Sequence, residues 1–146
     1  MINNIFISVF TDKENAEKTE DALKKFVPFN LEEKKLKIDT KRSSGFGEKE
    51  IIVKSIEINK MQLAKKTFEH ITAMLDENSR IVIFNTIESR LSDDFHFFIR
   101  LDKIKMLEGE AVVTDSGDCF HIKASITSFP QKKESAIEEL RELFVP

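Results

Sequence analysis

The spacing of apolar positions along this chain changes several times, and each change marks an element. Ile5-Phe6-Ile7-Ser8-Val9-Phe10 is a short run of β-type residues and predicts a strand. Thr11-Asp12-Lys13-Glu14 follows with capping-box spacing, so a hydroxyl and a carboxylate can satisfy free N–H groups at a helix start. That helix is expected to run to about Phe26, with Ala16, Leu23 and Phe26 inward and Pro28 as its stop. Lys34–Thr40 alternates, Leu36 and Ile38 against Lys35, Lys37 and Asp39, which predicts a half-buried strand with a cationic outer face. Glu50–Ile58 predicts its hairpin partner, with Ser43-Ser44-Gly45-Phe46-Gly47 as the loop at the tip.

Two helical patterns come next. Leu63, Ala64, Phe68, Ile71 and Leu75 keep the 3.6 period, and Asn78-Ser79 opens a second helix with Ile83, Phe84, Ile87 and Leu91 on its apolar face. Ile81–Phe84 alone would also suit a strand, but the helical spacing continues to Leu91. Phe95, Phe97, Ile99 and Leu101 then fall on one strand face, and His96, Phe98 and Arg100 on the other. Glu110–Asp115 and Cys119–Ser128 predict two more strands joined at Ser116-Gly117-Asp118. In the last strand Phe120, Ile122, Ala124 and Ile126 are expected inward and Cys119, His121, Lys123 and Ser125 outward. Lys132–Phe144 closes the chain as a helix. The predicted order is β-α-β-β-α-α-β-β-β-α. It implies a single α+β domain over residues 1–146, with one largely antiparallel sheet and the helices packed on one face.

Composition narrows the class. At 146 residues and 40% hydrophobic content the chain can build a core without staples. The single Cys119 excludes an intramolecular disulfide and fits a reducing, cytoplasmic setting. No apolar run approaches the ~18 residues of a membrane helix, and the first residues do not read as a signal peptide. The net charge is −3, so nucleic-acid binding has to rest on a local patch. One candidate runs from Lys34 to Lys54, with seven basic residues (Lys34, Lys35, Lys37, Lys41, Arg42, Lys49, Lys54) against three acids. With no Trp or Tyr and thirteen Phe, only Phe and His are available for stacking on bases.

The candidate chemistry is binding chemistry. Phe98 stands between His96 and Arg100 on one strand face, a reasonable place to stack an unpaired base and hold its phosphate. Arg100 and Asp102 share one side of the strand and can pair, so that Asp102 orients Arg100, while Lys103 and Lys105 add charge. Gly45 and Gly47, flanked by Arg42 and Lys49, can bring backbone N–H groups close to a phosphate. The three histidines (His70, His96, His121) lack metal-ligand spacing, and His70 reads as a surface or boundary residue. Asp93-Asp94 reads as a turn cap. No catalytic residues, cofactor or metal are indicated.

Phe98-Ile99-Arg100-Leu101-Asp102-Lys103 followed by Gly109-Glu110 resembles the Arg-x-Asp-Lys…Gly signature of an archaeal family of predicted exosome-associated RNA-binding proteins. Val9-Phe10-Thr11-Asp12 is similar to that family's opening, and Ile87-Glu88-Ser89-Arg90-Leu91 to its helix before the signature strand. Ser44-Gly45-Phe46-Gly47 sits where the family carries a Gly-x-x-Gly-Asn-type loop, here without the Asn-Pro that often follows. The resemblance implies a fold similar to the ribosomal protein that binds 5S RNA, and an accessory role in RNA processing or degradation.

The expected function is a non-catalytic RNA-binding module. Lys35, Lys37, Arg42, Arg100, Lys103 and Lys105 would meet phosphates, with backbone help from Gly45 and Gly47. The alternative is a protein-interaction subunit that docks a partner or a second copy on the sheet face or an edge strand. A third, minor reading is a phosphate-handling enzyme built on His96, Arg100 and Asp102.

Overall fold

A computed structural model describes residues 1–44 and 50–146. Among the described residues the elements run β1 (Ile2–Thr11), α1 (Ala16–Lys24), β2 (Asp39–Ser44), β3 (Glu50–Ile58), α2 (Met61–Met74), α3 (Glu77–Asn85), α4 (Ile87–Arg90), β4 (His96–Asp102), α5 (Lys103–Leu107), β5 (Cys119–Ile126) and α6 (Lys133–Leu143). The five strands form one antiparallel sheet in the order β2-β3-β1-β5-β4. This is the expected α+β architecture.

Residues paired across antiparallel strands share a face, so the register divides the sheet in two. Ile5, Ile7 and Val9 of β1 pair with Ile58, Ile56 and Lys54 of β3. Ile5 and Ile7 also pair with Ala124 and Ile122 of β5, which pair in turn with Phe97 and Ile99 of β4. That face is buried under the helices, where Phe68, Phe97 and Phe144 meet with ring centroids 5.8 to 6.3 Å apart. Phe26 and Phe120 form a second aromatic contact at 5.2 Å.

Several local expectations are corrected. The carboxylate of Asp12, not the Thr11 hydroxyl, accepts the Asn15 N–H at 2.8 Å, and α1 starts only at Ala16 and ends at Lys24. Lys34–Ile38 is not a strand. Residues 31–35 turn, with Lys35 at φ 58° and the Leu36 N–H returned to the Leu31 carbonyl at 2.9 Å. Leu36 and Ile38 still pack against the core, which explains the alternation, but β2 begins at Asp39. The Asn78–Leu91 helix is broken at Thr86, whose hydroxyl donates to the Val82 carbonyl at 2.7 Å. Ile81–Phe84 is helical, as its spacing implied.

Glu110–Asp115 does not form a continuous strand. It meets the β4 edge through the Asp102 N–H to the Val112 carbonyl (2.8 Å) and the Thr114 N–H to the Arg100 carbonyl (2.9 Å). The unforeseen α5 stands before it; Gly109 follows its C-cap Glu108, and its φ of 90° suits a residue without Cβ. Cys119 alternates outward yet is buried. Asp94 and His96 pair at 3.1 Å and Asp93 meets Lys133 at 2.9 Å, so these carboxylates hold the turn into β4. His70 lies at the boundary, its Nε2 2.9 Å from the Lys25 carbonyl.

Lys103 anchors the sheet end. Its ammonium donates to the Phe10 carbonyl at 2.7 Å and lies 3.2 Å from Asp118, while its own N–H donates to the Asp118 carbonyl at 3.1 Å. The part-buried Phe10 carbonyl and the Asp118 carboxylate would both lose their cation in Lys103→Met. That substitution is expected to cost about 1–3 kcal/mol of folding stability by urea titration. Unchanged stability would remove the anchor from the structural account.

Candidate nucleic-acid interface

The other sheet face carries the register's odd partners, and it is open. Phe6 pairs with Lys123, and Lys123 with Phe98; Ser8 pairs with His121, and His121 with Arg100. Phe10 follows two residues on from Ser8, on the same face of β1. Phe6, Phe10 and Phe98 are 38%, 53% and 42% exposed, in contrast to the fully buried phenylalanines behind them. These side chains border a shallow trough of about 360 Å³ together with Arg100, His121 and Lys123. His96 meets the Phe98 ring edge-on, 6.4 Å between centroids. Exposed aromatic rings set between cations suit unpaired bases, which stack on the rings while phosphates meet the charges.

The sequence-predicted residues do not gather at one place. β2 and β4 are the two edges of the sheet, separated by four strand spacings, ~19 Å. Arg42 pairs in register with Ile52, which puts it on the helix side, and its guanidinium lies 3.6 Å from Glu50. Lys54 is on that side too, bound to Glu20 of α1 at 3.3 Å. Lys37 lines a cleft with Glu20 and Lys24 of α1, and Lys35 sits exposed in the preceding turn. Lys41 alone of the β2 cations shares a face with Phe98 and Arg100. Gly45 and Gly47 lie outside the described residues, as does Lys49.

The Arg100–Lys105 cluster is likewise divided. Asp102 does not pair with Arg100. Its carboxylate accepts the Lys105 N–H at 2.9 Å and caps α5, while Arg100 donates to the Asp115 carbonyl at 3.2 Å. Lys103 is buried at its anchor, and Lys105 is exposed on α5, 3.8 Å from Glu110. Phe6, Phe10 and Lys123 were not among the predicted site residues. Their signal was available: Phe6 and Phe10 occupy the parity opposite Ile5, Ile7 and Val9, so one set had to face away from the core.

A family model described as RNA binding matches residues 4–126, which take in β1 from Asn4 and all of β2 to β5. The chain belongs to that family. An RNA-binding protein of Pyrococcus abyssi is 28% identical over 141 residues, covering 96% of this chain and 92% of its own. A DUF54 protein crystal structure from Archaeoglobus fulgidus superposes with a TM-score of 0.81 at 26% identity, covering 98% of this chain and 99% of its own. A DUF54 protein from Methanothermobacter thermautotrophicus gives 0.76 at 25% identity, with 99% and 98% covered.

Within this family member the charge on the open face is uneven. Arg100 and Lys123 stand on the β4–β5 half, whereas on the β2–β3 half the one strand cation, Lys41, stands with Asp39 and Glu57. Burial, and then the nearby Arg100 guanidinium, hold His121 below its ordinary value near 6.5. It is therefore neutral near neutral pH and leaves Arg100 as the cation of its row. The folded state prefers the neutral ring, so this stabilisation is complete above 6.5 and is lost as pH falls through 6.5 toward the folded value. His121→Gln should lose less stability than wild type on acidification from pH 7.5 to about 5.5. An NMR titration should place the His121 pKa below 6.5 and move it upward in Arg100→Gln; a value unmoved by that substitution would separate the two side chains.

Proposed function

We propose that this chain is a non-catalytic RNA-binding module whose principal contact surface is the open face of β1, β5 and β4. The observation that carries the reading is the row of three exposed phenylalanines, Phe6, Phe10 and Phe98, set among Lys123, His121 and Arg100. Membership in the RNA-binding family supports it. Bases of a single-stranded segment stack on the rings, and Arg100 and Lys123 neutralise the phosphates between them. Lys41, on the same face ~19 Å from β4, extends the track.

The remaining cations act at the margins of this surface. Arg42 of β2, with Lys35 and Lys37 in the segment before it, offers an outlying phosphate contact, Gly45 and Gly47 keep the phosphate role that their sequence suggests, and Lys105 offers another contact on α5. Lys103 serves by fixing the end of β1 under Phe10 rather than by meeting a phosphate. The finer assignment, an accessory of RNA processing or degradation in an exosome-associated complex, belongs to the same proposal. It draws on the resemblance of Arg100-Leu101-Asp102-Lys103, as does the likeness to the ribosomal 5S-RNA-binding fold. A second reading is favoured by the net charge of −3 and by Phe10, the most exposed of the three rings. In it the same face docks a protein partner or a second copy.

Fluorescence anisotropy with a labelled single-stranded RNA tests the proposal. Phe98→Ala and Phe10→Ala are each expected to lose about 1–3 kcal/mol of binding, read as a roughly 5- to 150-fold weaker Kd. Arg42→Ala, on the helix side, should lower the salt slope by about one unit and little else. Strong loss in Arg42→Ala with Phe98→Ala unchanged would move the surface to the hairpin. Absent RNA binding, together with a self-association abolished by Phe10→Ala in light scattering, would establish the second reading.

A further inference from the structure

Beside the open face, at the outer edge of β4, lies a second opening of about 300 Å³. Arg90 from the end of α4 and Arg100 from β4 both line it, and so does Phe98, where cleft and trough meet. Arg90 is recessed, its side chain 12% exposed, and its Nε donates to Thr86 Oγ1 at 2.8 Å. That bond fixes the guanidinium without using its two terminal nitrogens. Burial disfavours the charge on Arg90, the Asp115 carboxylate offsets only part of that, and the nearness of Arg100 disfavours the charge further. Two cations converging on one opening call for an anion.

The resident anion is a poor one. The Asp115 carboxylate is 90% exposed and stands 3.7 Å from Arg90 Nη2, beyond hydrogen-bond length. Arg100 reaches the carbonyl of Asp115 rather than its carboxylate. Among the described residues no other carboxylate forms an ion pair with either guanidinium. Two cations thus share one loosely held single charge.

We infer that this cleft receives a phosphate monoester at the end of an RNA strand, next to a base stacked on Phe98. The inference rests on the RNA-binding reading of the open face and adds strand-end selectivity to it. Charge decides the class of ligand. A phosphodiester within a strand carries one negative charge, so exchanging it for the Asp115 carboxylate gains little. A monoester carries about −1.5 to −2 near neutral pH and offers three acceptor oxygens. Arg90 and Arg100 can hold those oxygens together, in the fork geometry that guanidinium favours. Asp115, already in solvent, is displaced without a burial cost.

The test is anisotropy with one short single-stranded RNA, labelled internally and prepared with a 5′-phosphate, a 3′-phosphate, or hydroxyls at both ends. One phosphorylated form is expected to bind about tenfold more tightly than the hydroxyl form, and which end does so gives the strand direction. Arg90→Gln should abolish that preference while hydroxyl-ended RNA binds as before. Asp115→Asn, on an exposed loop, should tighten the phosphorylated RNA by removing the competing carboxylate. Equal affinity for all three RNAs, with binding intact, overturns the strand-end inference and leaves the sheet-face reading standing. Failure to bind any of the three overturns both.

Discussion

The two-sided antiparallel pairing of β1 is the constraint on which the rest depends. β1 is the central strand, held by β3 on one side and β5 on the other. Its register decides, for every strand, which side chains meet the helices and which meet solvent. A slip of one residue would exchange the faces. Ile5, Ile7 and Val9 would then leave the core, and Phe6 and Phe10 would enter it. The observed parity is the stronger one: at roughly 1.5–3 kcal/mol for each buried apolar side chain, Ile5, Ile7 and Val9 outweigh Phe6 and Phe10, and the other parity would also bury Ser8. The pull of Ile5, Ile7 and Val9 inward thus places Phe6 and Phe10 outward, and the pairing of β5 and β4 carries the same choice across to Lys123, Phe98 and Arg100.

Long-period features were legible in the sequence because periodicity reports burial directly. The parity of Phe97, Ile99 and Leu101 against His96, Phe98 and Arg100 is the parity observed, and α2 follows its apolar stripe. The losses fall where local chemistry competes with period. Lys34–Ile38 alternates because Leu36 and Ile38 pack on the core from an irregular segment, and burial in a loop leaves the same trace as burial in a strand. Glu110–Asp115 has strand-like residues, but it meets β4 at only a few positions. α5 is five residues long, too short for a period to declare itself, and depends on the Asp102 cap.

The candidate surface was partly legible for the same reason. Phe98 and Arg100 lie on the open face as their parity required. Whether the basic Lys34–Lys54 stretch joins them is a question of strand order, which composition does not contain. Arg42 and Arg100 sit on opposite edges and opposite faces, so charge clustered in sequence is dispersed in space. Conversely Arg90, which the sequence marked only as part of the helix Ile87-Glu88-Ser89-Arg90-Leu91, lines the cleft beside β4 with its Nε held by Thr86, the residue at which α3 ends.

Arg100, Asp102 and Lys103 are better understood as three separate tasks than as one charged patch. Arg100 serves the open face and its cleft, Asp102 starts α5, and Lys103 fastens that helix start to the carbonyl of Phe10. The last two tasks support the first. Lys103 holds the β4 end against the β1 end that bears Phe10, so rings on two non-adjacent strands keep a fixed spacing. A stacking platform needs that fixed spacing more than it needs additional charge, because successive bases must find successive rings. It also explains how a chain of net charge −3 can present an RNA surface. Asp39 and Glu57 on the far half of the face leave Lys41 in acidic company, Arg100 and Lys123 stand on the near half, and the exposed rings supply an attraction that overall charge does not set.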